Sequence, residues 1–310
     1  MESKNNWKAW LYLAPVIILL AVFTFYPIIN TVYVSFLEGY EYDTGYFENF
    51  TFNNYASVLS PYTEEGDYMF NLVMKEAIPN TLLITFITVP LSIIISLIIA
   101  IALNSIKFFK KIFQTVFFMP YVTNAIAIGM VFSVVFNADS GIFNSIFGTY
   151  YTGWVSGSQL MQGTVKYGNA LFAICFYIIW HSLPYKILIF LGGLQNIDAQ
   201  YYDAAKIDSA PKWKTALKIT VPLLSPQILY MMITSFIGSF KEYNSVIGLF
   251  GKTGGMFEGD RSMKTMVYFI YDQVEGGNVT YACAASVILF LIIMAITLVQ
   301  NQVSKRRVHY

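Results

Sequence analysis

The sequence predicts an all-α protein that crosses a membrane several times. Hydrophobic residues make up 56% of the 310 residues and charged residues only 12%, and the mean hydropathy is +0.55. A soluble globular domain carries roughly 25% charged residues. The apolar residues fall into six segments, each long enough to cross a bilayer as a helix of about 20 residues. The charges concentrate between these segments, as expected of a polytopic membrane protein.

The predicted spans follow one another in a single transmembrane domain that covers residues 1–310. Helices are expected because a lipid-exposed segment must satisfy its own backbone hydrogen bonds. The first apolar segment exceeds the roughly 7–15 residues of a signal-peptide core, and no small-x-small cleavage site follows it, so it is predicted to remain as a span. The approximate bounds are 10–36, 78–106, 112–136, 169–195, 223–250 and 279–303.

The segments between the spans alternate in charge. Most of the basic residues lie at the two termini, between the second and third spans, and between the fourth and fifth spans. Because basic loops stay on the cytoplasmic side, both termini and the fourth loop are predicted to be cytoplasmic. The basic residues concerned are Lys4, Lys8, Lys107, Lys110, Lys111, Lys206, Lys212, Lys214, Lys218, Lys305, Arg306 and Arg307.

The stretch between the first two spans is predicted to be extracellular and is rich in aromatic and acidic residues. It would suit the docking of a soluble partner, but an ordinary solvated loop explains it equally, since an acidic exterior follows partly from the same charge rule. The acids are Glu38, Glu41, Asp43, Glu48, Glu64, Glu65 and Asp67.

Residues 197–222, which we call the 197–222 loop, form a charged segment between two apolar spans. Asp198 is suited to cap a short helix, and small alanines in that helix would let a partner surface approach closely. The Ser-Ala-Pro sequence that ends at Pro211 predicts the start of a second short helix. Two short helices meeting at an angle would form a small, compact projection on the cytoplasmic side. An amphipathic helix at the membrane surface would explain the lysines equally well.

The spacing within this loop resembles the cytoplasmic coupling loop of ABC-importer permeases. The family pattern is Glu-Ala-Ala, three residues, Gly, nine residues, Ile, one residue and Leu-Pro. At the same spacings this chain has Asp203-Ala204-Ala205, Ser209, Ile219 and Val221-Pro222. Asp replaces Glu, Ser replaces Gly and Val replaces Leu. A surface helix alone would not produce this spaced match.

Further runs along the chain resemble the permease subunits of carbohydrate ABC importers of the maltose and multiple-sugar type. They are APVIILLAVFTFYPIINTVYVSF near the N-terminus, FFMPYVTNAIAIGMVFSVVFNADSGIFN, LIFLGGLQNID and FKEYNSVIGLFGKTGG. The resemblance implies a type I ABC-importer permease fold of six transmembrane helices with a cytoplasmic coupling helix. It also implies a non-catalytic transport subunit in a bacterial cytoplasmic membrane.

The same resemblance implies partners. They would be a second, homologous permease subunit, two cytoplasmic ABC ATPase subunits and an extracellular solute-binding protein. ATP and Mg would bind to the ATPases, and this chain would bind no cofactor. The residues of the loop that would couple to an ATPase are Asp203, Ala204, Ala205, Lys206, Asp208, Ser209, Ala210, Ile219 and Pro222.

Polar and ionisable residues inside the fourth and fifth spans are the candidates for a solute pathway, because such residues are rare within membrane helices and mark function by default. The family resemblance places sugar contacts on these same two spans. Lys186 and Lys241 lie nearby, and either lysine could instead pair structurally with the acid, while the serines could serve helix packing. The candidates are His181, Ser182, Tyr185, Ser235, Ser239 and Glu242.

Several classes of function are not supported. With His181 and His309 as the only histidines, we find no catalytic constellation and no metal-ligand spacing. The dispersed basic residues do not predict nucleic-acid binding, and Cys175 and Cys283 are predicted to be free thiols. The GKTGG sequence lacks the first glycine of a phosphate-binding loop. A permease for glycerol phosphate esters or polyols and a secondary transporter remain as alternatives.

Overall fold

The computed structural model describes residues 6–60, 69–106, 110–149, 153–155, 165–255, 257–258 and 261–304. These ranges are predominantly helical, so the predicted all-α class is confirmed. The described ranges also contain one short antiparallel hairpin, in which Leu37 pairs with Phe50 and Glu38 with Asn49. Part of the predicted charge pattern lies outside the described residues, namely Lys4, Glu64, Glu65, Asp67, Lys107, Lys305, Arg306 and Arg307.

The helices and strands follow one another in an order that matches the predicted alternation of spans and loops. Up to the third predicted span they are α1 (Asn6–Leu20), α2 (Tyr26–Val34), β1 (Leu37–Glu38), β2 (Asn49–Phe50), α3 (Asn53–Leu59), α4 (Ile78–Ser105), α5 (Lys110–Val122) and α6 (Ala125–Val135). The later helices are α7 (Ile142–Phe147), α8 (Tyr167–Gln195), α9 (Ala199–Ile207), α10 (Lys212–Thr215), α11 (Val221–Leu223), α12 (Ser225–Phe240), α13 (Asn244–Phe250), α14 (Met266–Glu275) and α15 (Val279–Ser304).

Wider and tighter helical turns join some of these helices. Turns of π-helix occupy Ala21–Phe25, Asn71–Ala77 and Ala216–Thr220, and a 3-10 turn occupies Gly251–Thr253.

Four continuous helical stretches in the described ranges are long and apolar enough to cross a membrane, and two bent helix pairs bring the total to six if each pair is one span. The bent pairs are Thr115–Val122 with Ala125–Val135, at 105°, and Lys212–Leu223 with Ser225–Phe240, at 67°. The continuous stretches are Trp10–Val34, Asn71–Ser105, Tyr167–Gln195 and Val279–Val303. Trp10–Val34 has no residue of its apolar window buried inside the chain. Its large side chains therefore face the surroundings, as expected of a helix in lipid.

The third predicted span is not one continuous helix. It is divided between α5 and α6, which bend by 105° at Thr123 and Asn124. Pro120 lies in the last turn of α5, where it lacks the amide proton needed to continue the ladder. Asn124 then starts the next helix, because its side chain accepts hydrogen bonds from the backbone of Ile126 and Ala127. The apolar pattern predicted the segment but not the bend.

The fifth predicted span, 223–250, is also divided. Helix α12 begins at Ser225 and ends at Phe240, and α13 begins at Asn244. The candidate pathway residues Ser235, Ser239 and Glu242 therefore do not share one continuous helix, since Glu242 lies in the break. The Glu242 carboxylate accepts a hydrogen bond of 3.0 Å from the backbone of Ser245. Ser245 lies in the first turn of α13, where backbone N–H groups have no partner within the helix, so this bond stabilises the start of a new helix.

The described residues divide into two compact units. The first lies within Met1–Val73 and Phe269–Leu291 and contains the hairpin. There, the buried amide of Asn54 donates to the carbonyls of Ser35 and Leu37 at 3.0 and 2.8 Å. The hydroxyls of Ser35 and Tyr55 share a hydrogen bond of 2.6 Å. These bonds tie α3 to the strand that follows the first span.

The second unit lies within Met74–Tyr268 and Ile292–Tyr310 and holds the main core. Its central packing is between α4 and α8, with α12 alongside. Helices α6 and α13, the second members of the two divided segments, also cross at two glycines. A β-carbon at Gly129 would lie 2.7 Å from the Cα of Gly248. Only glycine allows the two backbones to approach this closely.

Candidate functional site

The second unit encloses a small polar cavity of about 170 Å³ between α4, α8 and α12. We call it the polar cavity. Its lining combines five hydroxyl side chains with one lysine and one glutamate, which is an unusual content for a helix bundle in a membrane. The lining residues are Thr88, Val89, Ser92, Ile178, Ser182, Lys186, Ser235, Gly238, Ser239 and Glu242.

Helix α4 supplies a buried stripe of hydroxyl groups to this region. The stripe follows the three- and four-residue spacing of one helix face, and each member is at most 2% exposed. The hydroxyls of Thr85 and Thr88 have no hydrogen-bond partner in the described chain. Small hydroxyl residues often serve close helix packing in membranes, but unpartnered hydroxyls beside a cavity are available to a ligand. The stripe comprises Thr81, Thr85, Thr88, Ser92 and Ser96.

Helix α8 contributes Ser182 and Lys186, which lie one turn apart on the same face. Lys186 is only 6% exposed. It forms no ion pair within the described residues, where one pair, between Lys206 and Asp203, is present. The sequence identified Lys186 as an ionisable residue within a span but did not assign it to the candidate pathway. The structure places it in the polar cavity with Glu242.

Two of the predicted pathway residues, His181 and Tyr185, do not line the polar cavity. They lie on the neighbouring face of α8. The His181 ring packs 5.8 Å from that of Tyr177, and its Nε2 is buried without a hydrogen-bond partner in the described chain. Tyr185 stacks on Tyr121 at 5.7 Å with an interplanar angle of 14°. Its hydroxyl also shares a 3.2 Å hydrogen bond with that of Tyr230.

The other four predicted pathway residues, Ser182, Ser235, Ser239 and Glu242, come together in the polar cavity. The Ser239 hydroxyl is buried and has no partner in the described chain, whereas the Ser182 hydroxyl donates to the carbonyl of Ile179 at 3.0 Å. The candidate pathway therefore divides into a polar cavity and a separate cluster of three tyrosines, 121, 185 and 230.

Glu242 is held in place by the segment that follows α13. The Thr265 hydroxyl donates to the Glu242 carbonyl at 2.6 Å. The described residues 251–255, 257–258 and 261–265, which we call the strap, include the GKTGG sequence, and the first three of them form the 3-10 turn described above. The hydroxyl of Tyr268 donates to the carbonyl of Lys252 within this segment. The strap therefore fixes the position of one lining residue of the polar cavity.

The strap is also fastened to the N-terminal part of α4. The buried Asn80 amide donates to the carbonyls of Ser262 and Lys264 at 2.8 and 2.9 Å, and its oxygen accepts from Tyr167 at 2.6 Å. The Glu76 carboxylate accepts from the backbone and the hydroxyl of Ser262 at 3.1 and 2.5 Å. The bonds to Ser262 and Lys264 join residues more than 180 positions apart in the chain.

The 197–222 loop forms two short helices, as predicted. Asp198 caps α9 by accepting a hydrogen bond of 3.0 Å from the backbone of Gln200, which confirms its predicted capping role. On the exposed face of α9, Lys206 and Asp203 form an ion pair of 2.7 Å. The second helix, α10, begins immediately after Pro211. The exposed apolar side chains of Ile207 and Trp213 are 84% and 68% accessible.

Most of the predicted coupling residues line one recess of about 630 Å³ between these short helices. Ser209 has φ +52°, a left-handed conformation that favours glycine, and glycine is the residue of the family pattern at this position. Asp203, Lys206 and Pro222 lie outside the recess lining, Pro222 within α11. The predicted residues that line it are Ala204, Ala205, Asp208, Ser209, Ala210 and Ile219.

A polytopic helical protein with a polar cavity between its spans and a folded, charged loop between two of them has the architecture of a transport protein. The chain matches the family "Binding-protein-dependent transport system inner membrane component" over residues 92–309. Because this match covers most of the chain, the protein belongs to that family. It is a membrane transport component, and the secondary-transporter alternative is set aside.

Relatives of known assignment align over nearly the whole chain. The lactose transport system permease protein LacF of Rhizobium radiobacter is 27% identical over 97% of this chain and 95% of the relative. The multiple sugar-binding transport system permease protein MsmF of Streptococcus mutans is 29% identical over 97% of each. The sn-glycerol-3-phosphate transport system permease protein UgpA of Rhizobium meliloti is 28% identical over 99% of this chain and 97% of the relative.

A solved structure shares the fold. It is a bacterial ABC transporter involved in the import of the acidic polysaccharide alginate, with a TM-score of 0.74 and 18% identity over 98% of this chain and 96% of the other. At this level of identity the likeness concerns the fold. It supports the type I ABC-importer permease fold that the sequence predicts.

The sequence did not assign the hydroxyl stripe of α4 or Lys186 to the candidate site. A signal for the stripe was present, since Thr81, Thr85, Thr88, Ser92 and Ser96 recur at three- or four-residue intervals in an otherwise apolar span. Nothing in that spacing tells which neighbouring helix the stripe would face. That relation depends on the packing of α4 against α8 and α12.

Proposed function

We propose that this chain is the permease subunit of an ATP-driven importer that moves a carbohydrate, delivered by an extracellular binding protein, across a bacterial cytoplasmic membrane. Membership of the binding-protein-dependent transport family carries the proposal. The relatives named for lactose and multiple-sugar transport support a saccharide as the solute. In this arrangement both termini and the 197–222 loop lie in the cytoplasm.

The polar cavity is the proposed entrance of the solute into this subunit. Hydroxyl groups of α4 and α12 would replace the water bound to a polyhydroxylated solute, and Glu242 would accept hydrogen bonds from it. The aromatic rings of the tyrosine cluster could stack on the apolar faces of the solute's sugar rings. His181, Ser182, Tyr185, Ser235, Ser239 and Glu242 keep their proposed role along this pathway, in two adjacent places.

The 197–222 loop is the proposed docking element for an ABC ATPase. Exposed apolar side chains next to charged ones, such as Ile207 beside Asp208, are typical of a surface that a partner covers. One ATPase would contact this loop and a second would contact the equivalent loop of a homologous permease subunit. ATP and Mg would bind on the ATPases, so this chain would transmit force and perform no chemistry.

The extracellular binding protein has a proposed docking place in the first unit. A recess of about 680 Å³ there is lined by tyrosine and acidic residues of the stretch that follows the hairpin's first strand. Tyr42 is 77% exposed. A similar fold occurs in a bacterial alginate ABC transporter in complex with a periplasmic protein that holds an alginate pentasaccharide. The lining includes Tyr40, Glu41, Tyr42, Asp43 and Thr44.

Co-purification tests this proposal. The tagged chain is extracted from its native host in a mild detergent, and the bound proteins are identified by mass spectrometry. We expect an ABC ATPase and a second permease to accompany the chain, and we expect ATP hydrolysis that rises when the binding protein is added. A chain that purifies alone, without an ATPase, would contradict the proposal.

Transport of glycerol phosphate esters is a second candidate function. The relative named for sn-glycerol-3-phosphate transport aligns with almost the whole of this chain, and Lys186 brings a cation into the polar cavity. Transport of a phosphate ester would need the same ATPase and the same loop. Screening the binding protein against sugars and against phosphate esters separates the two candidates.

A further inference from the structure

Lys186 is a buried cation without a partner in the described chain. It is 6% exposed and lines the polar cavity, and it forms no ion pair or hydrogen bond with any described residue. A charged side chain removed from water is strongly destabilising unless another charge or several hydrogen bonds compensate it. The folded chain does not supply this compensation, so a bound group or water in the cavity must do so.

Apart from Glu242, the unpartnered polar groups of the polar cavity can all donate hydrogen bonds. The hydroxyls of Thr88 and Ser239 are buried and have no partner in the described chain. The hydroxyls of Ser92 and Ser182 already donate to backbone carbonyls of their own helices, those of Val89 and Ile179, each at 3.0 Å. The ammonium group of Lys186 adds three donors. Several unoccupied donors around one small space are suited to a group that only accepts hydrogen bonds.

Glu242 carries the opposite charge in the polar cavity, and its carboxylate bonds to the backbone of Ser245 and not to Lys186. Its carboxylate accepts from the backbone of Ser245 at 3.0 Å, and its carbonyl accepts from Thr265 at 2.6 Å. Glu242 and Lys186 form no ion pair within the described residues. The glutamate lowers the attraction for any anion in the polar cavity, and it lowers it more for a doubly charged group than for a singly charged one.

The size of the polar cavity also restricts its occupant. Its volume of about 170 Å³ is below the roughly 300–1,000 Å³ of pockets that enclose a whole drug-sized ligand. One carboxylate or phosphate group with a few waters fits this space, while a complete oligosaccharide does not. Gly238 lines the cavity without a side chain, and a β-carbon placed there would meet nothing within 4 Å.

We propose that Lys186, Thr88 and Ser239 form a subsite for an oxyanion carried by the transported solute, either the carboxylate of an acidic sugar or a phosphate ester. This inference rests on the proposed function, since it assumes that a solute reaches the cavity. It adds the chemical class of that solute: the carbohydrate carries a negative charge, and the subsite holds this charge while the rest of the molecule lies outside the cavity.

Equilibrium binding to the full complex tests the subsite. The chain, with the subunits that co-purify with it, is placed in nanodiscs without its binding protein. Two matched pairs of radiolabelled probes are used: a galacturonate trisaccharide against a neutral galactose trisaccharide, and sn-glycerol 3-phosphate against glycerol. Because hydrogen bonds to charged groups are among the stronger ones, we expect the charged member of one pair to bind at least about 10-fold more tightly than its neutral partner.

Substitutions then identify the residue responsible. Lys186→Met keeps the length of the side chain and removes its charge, so it should abolish the preference for the charged probe and leave neutral binding unchanged. Lys186→Arg should keep the preference. Lys241→Met is the matched control, because it removes an exposed lysine that does not line the polar cavity. It should behave as the unaltered chain.

Three results would overturn the inference. One is equal binding of charged and neutral probes by the unaltered complex. Another is an equal loss of both probes in Lys186→Met. The third is a Lys186→Glu variant whose binding defect is repaired by Glu242→Lys, which would indicate an internal ion pair.

A further outcome separates the subsite from the proposed function. If no probe binds while the ATPase still co-purifies, the subsite is refuted and the proposed importer stands. If the ATPase is missing too, both the subsite and the proposed importer are refuted.

Discussion

The polar cavity and the 197–222 loop are both rich in polar residues, but their polar groups are satisfied in different ways. In the loop, Asp198 bonds to Gln200 two residues on and Asp203 pairs with Lys206 three residues on. In the cavity, Thr88, Lys186 and Ser239 come from three different helices. The two hydroxyls are buried without a hydrogen-bond partner in the described chain, and Lys186 forms no ion pair there. The loop therefore satisfies these polar groups locally, whereas the cavity leaves three polar side chains available to a ligand.

The largest effect on stability is expected from the substitution of Asn80. Asn80 and Thr88 both lie on α4, but the Asn80 side chain forms three hydrogen bonds and the Thr88 hydroxyl forms none in the described chain. Asn80→Ala would leave the carbonyls of Ser262 and Lys264 without their donor. Each lost buried hydrogen bond of this kind costs about 1–3 kcal/mol. We expect a clear fall in the melting temperature of the purified complex. An unchanged melting temperature would mean that the strap is not fixed by α4.

Asp203→Lys tests whether the loop acts through a partner. The exposed pair with Lys206 contributes at most about 1 kcal/mol to stability, so the melting temperature should hardly change. We nevertheless expect solute uptake and stimulated ATP hydrolysis to fall at least about 10-fold, a change of roughly 1.4 kcal/mol in the coupling step. Lys212→Asp, a charge reversal in the same loop outside the recess, is the control. Equal losses in both variants would refute a specific role for Asp203.

Thr88→Val tests the opposite prediction for the cavity. It replaces an unpartnered buried hydroxyl by a methyl group of similar size, which removes the penalty for burying an unsatisfied polar atom, about 1 kcal/mol. The melting temperature should stay the same or rise while uptake falls. Thr31→Val is a matched control, since that hydroxyl bonds to the carbonyl of Pro27 outside the cavity. A loss of stability in Thr88→Val would show that the hydroxyl serves packing.

The smallest effect is expected from Ser209→Gly in the loop. Ser209 holds φ +52°, and a non-glycine residue in this region is destabilised by roughly 1 kcal/mol. Glycine should therefore raise the melting temperature slightly and leave uptake unchanged. Ser145→Gly is the contrasting variant, because Ser145 lies within helix α7, where glycine lowers stability. A fall in stability in Ser209→Gly would mean that the serine side chain has a contact of its own.

The sequence predicted the loop well because its structure depends on neighbouring residues. A capping aspartate, two alanines and a proline fix the two short helices, and each acts within a few positions. The break at Lys241 to Tyr243 was missed, since an apolar window extends across it. The separation of His181 and Tyr185 from the cavity was missed as well, because helical spacing gives the relative face of a residue and not the helix that this face meets.

Four properties could be predicted from the amino-acid sequence alone: the all-α class, the apolar segments long enough to cross a membrane, the capped helix of the loop and the family. These properties depend on composition, helical periodicity and local hydrogen bonds, which can be recognised along the chain. Only the tertiary structure decided that α4 lines the cavity, that Lys186 faces it and that the strap holds Glu242. Those relations join residues tens to almost two hundred positions apart, and they arise from the packing of particular helix faces, which no local pattern specifies.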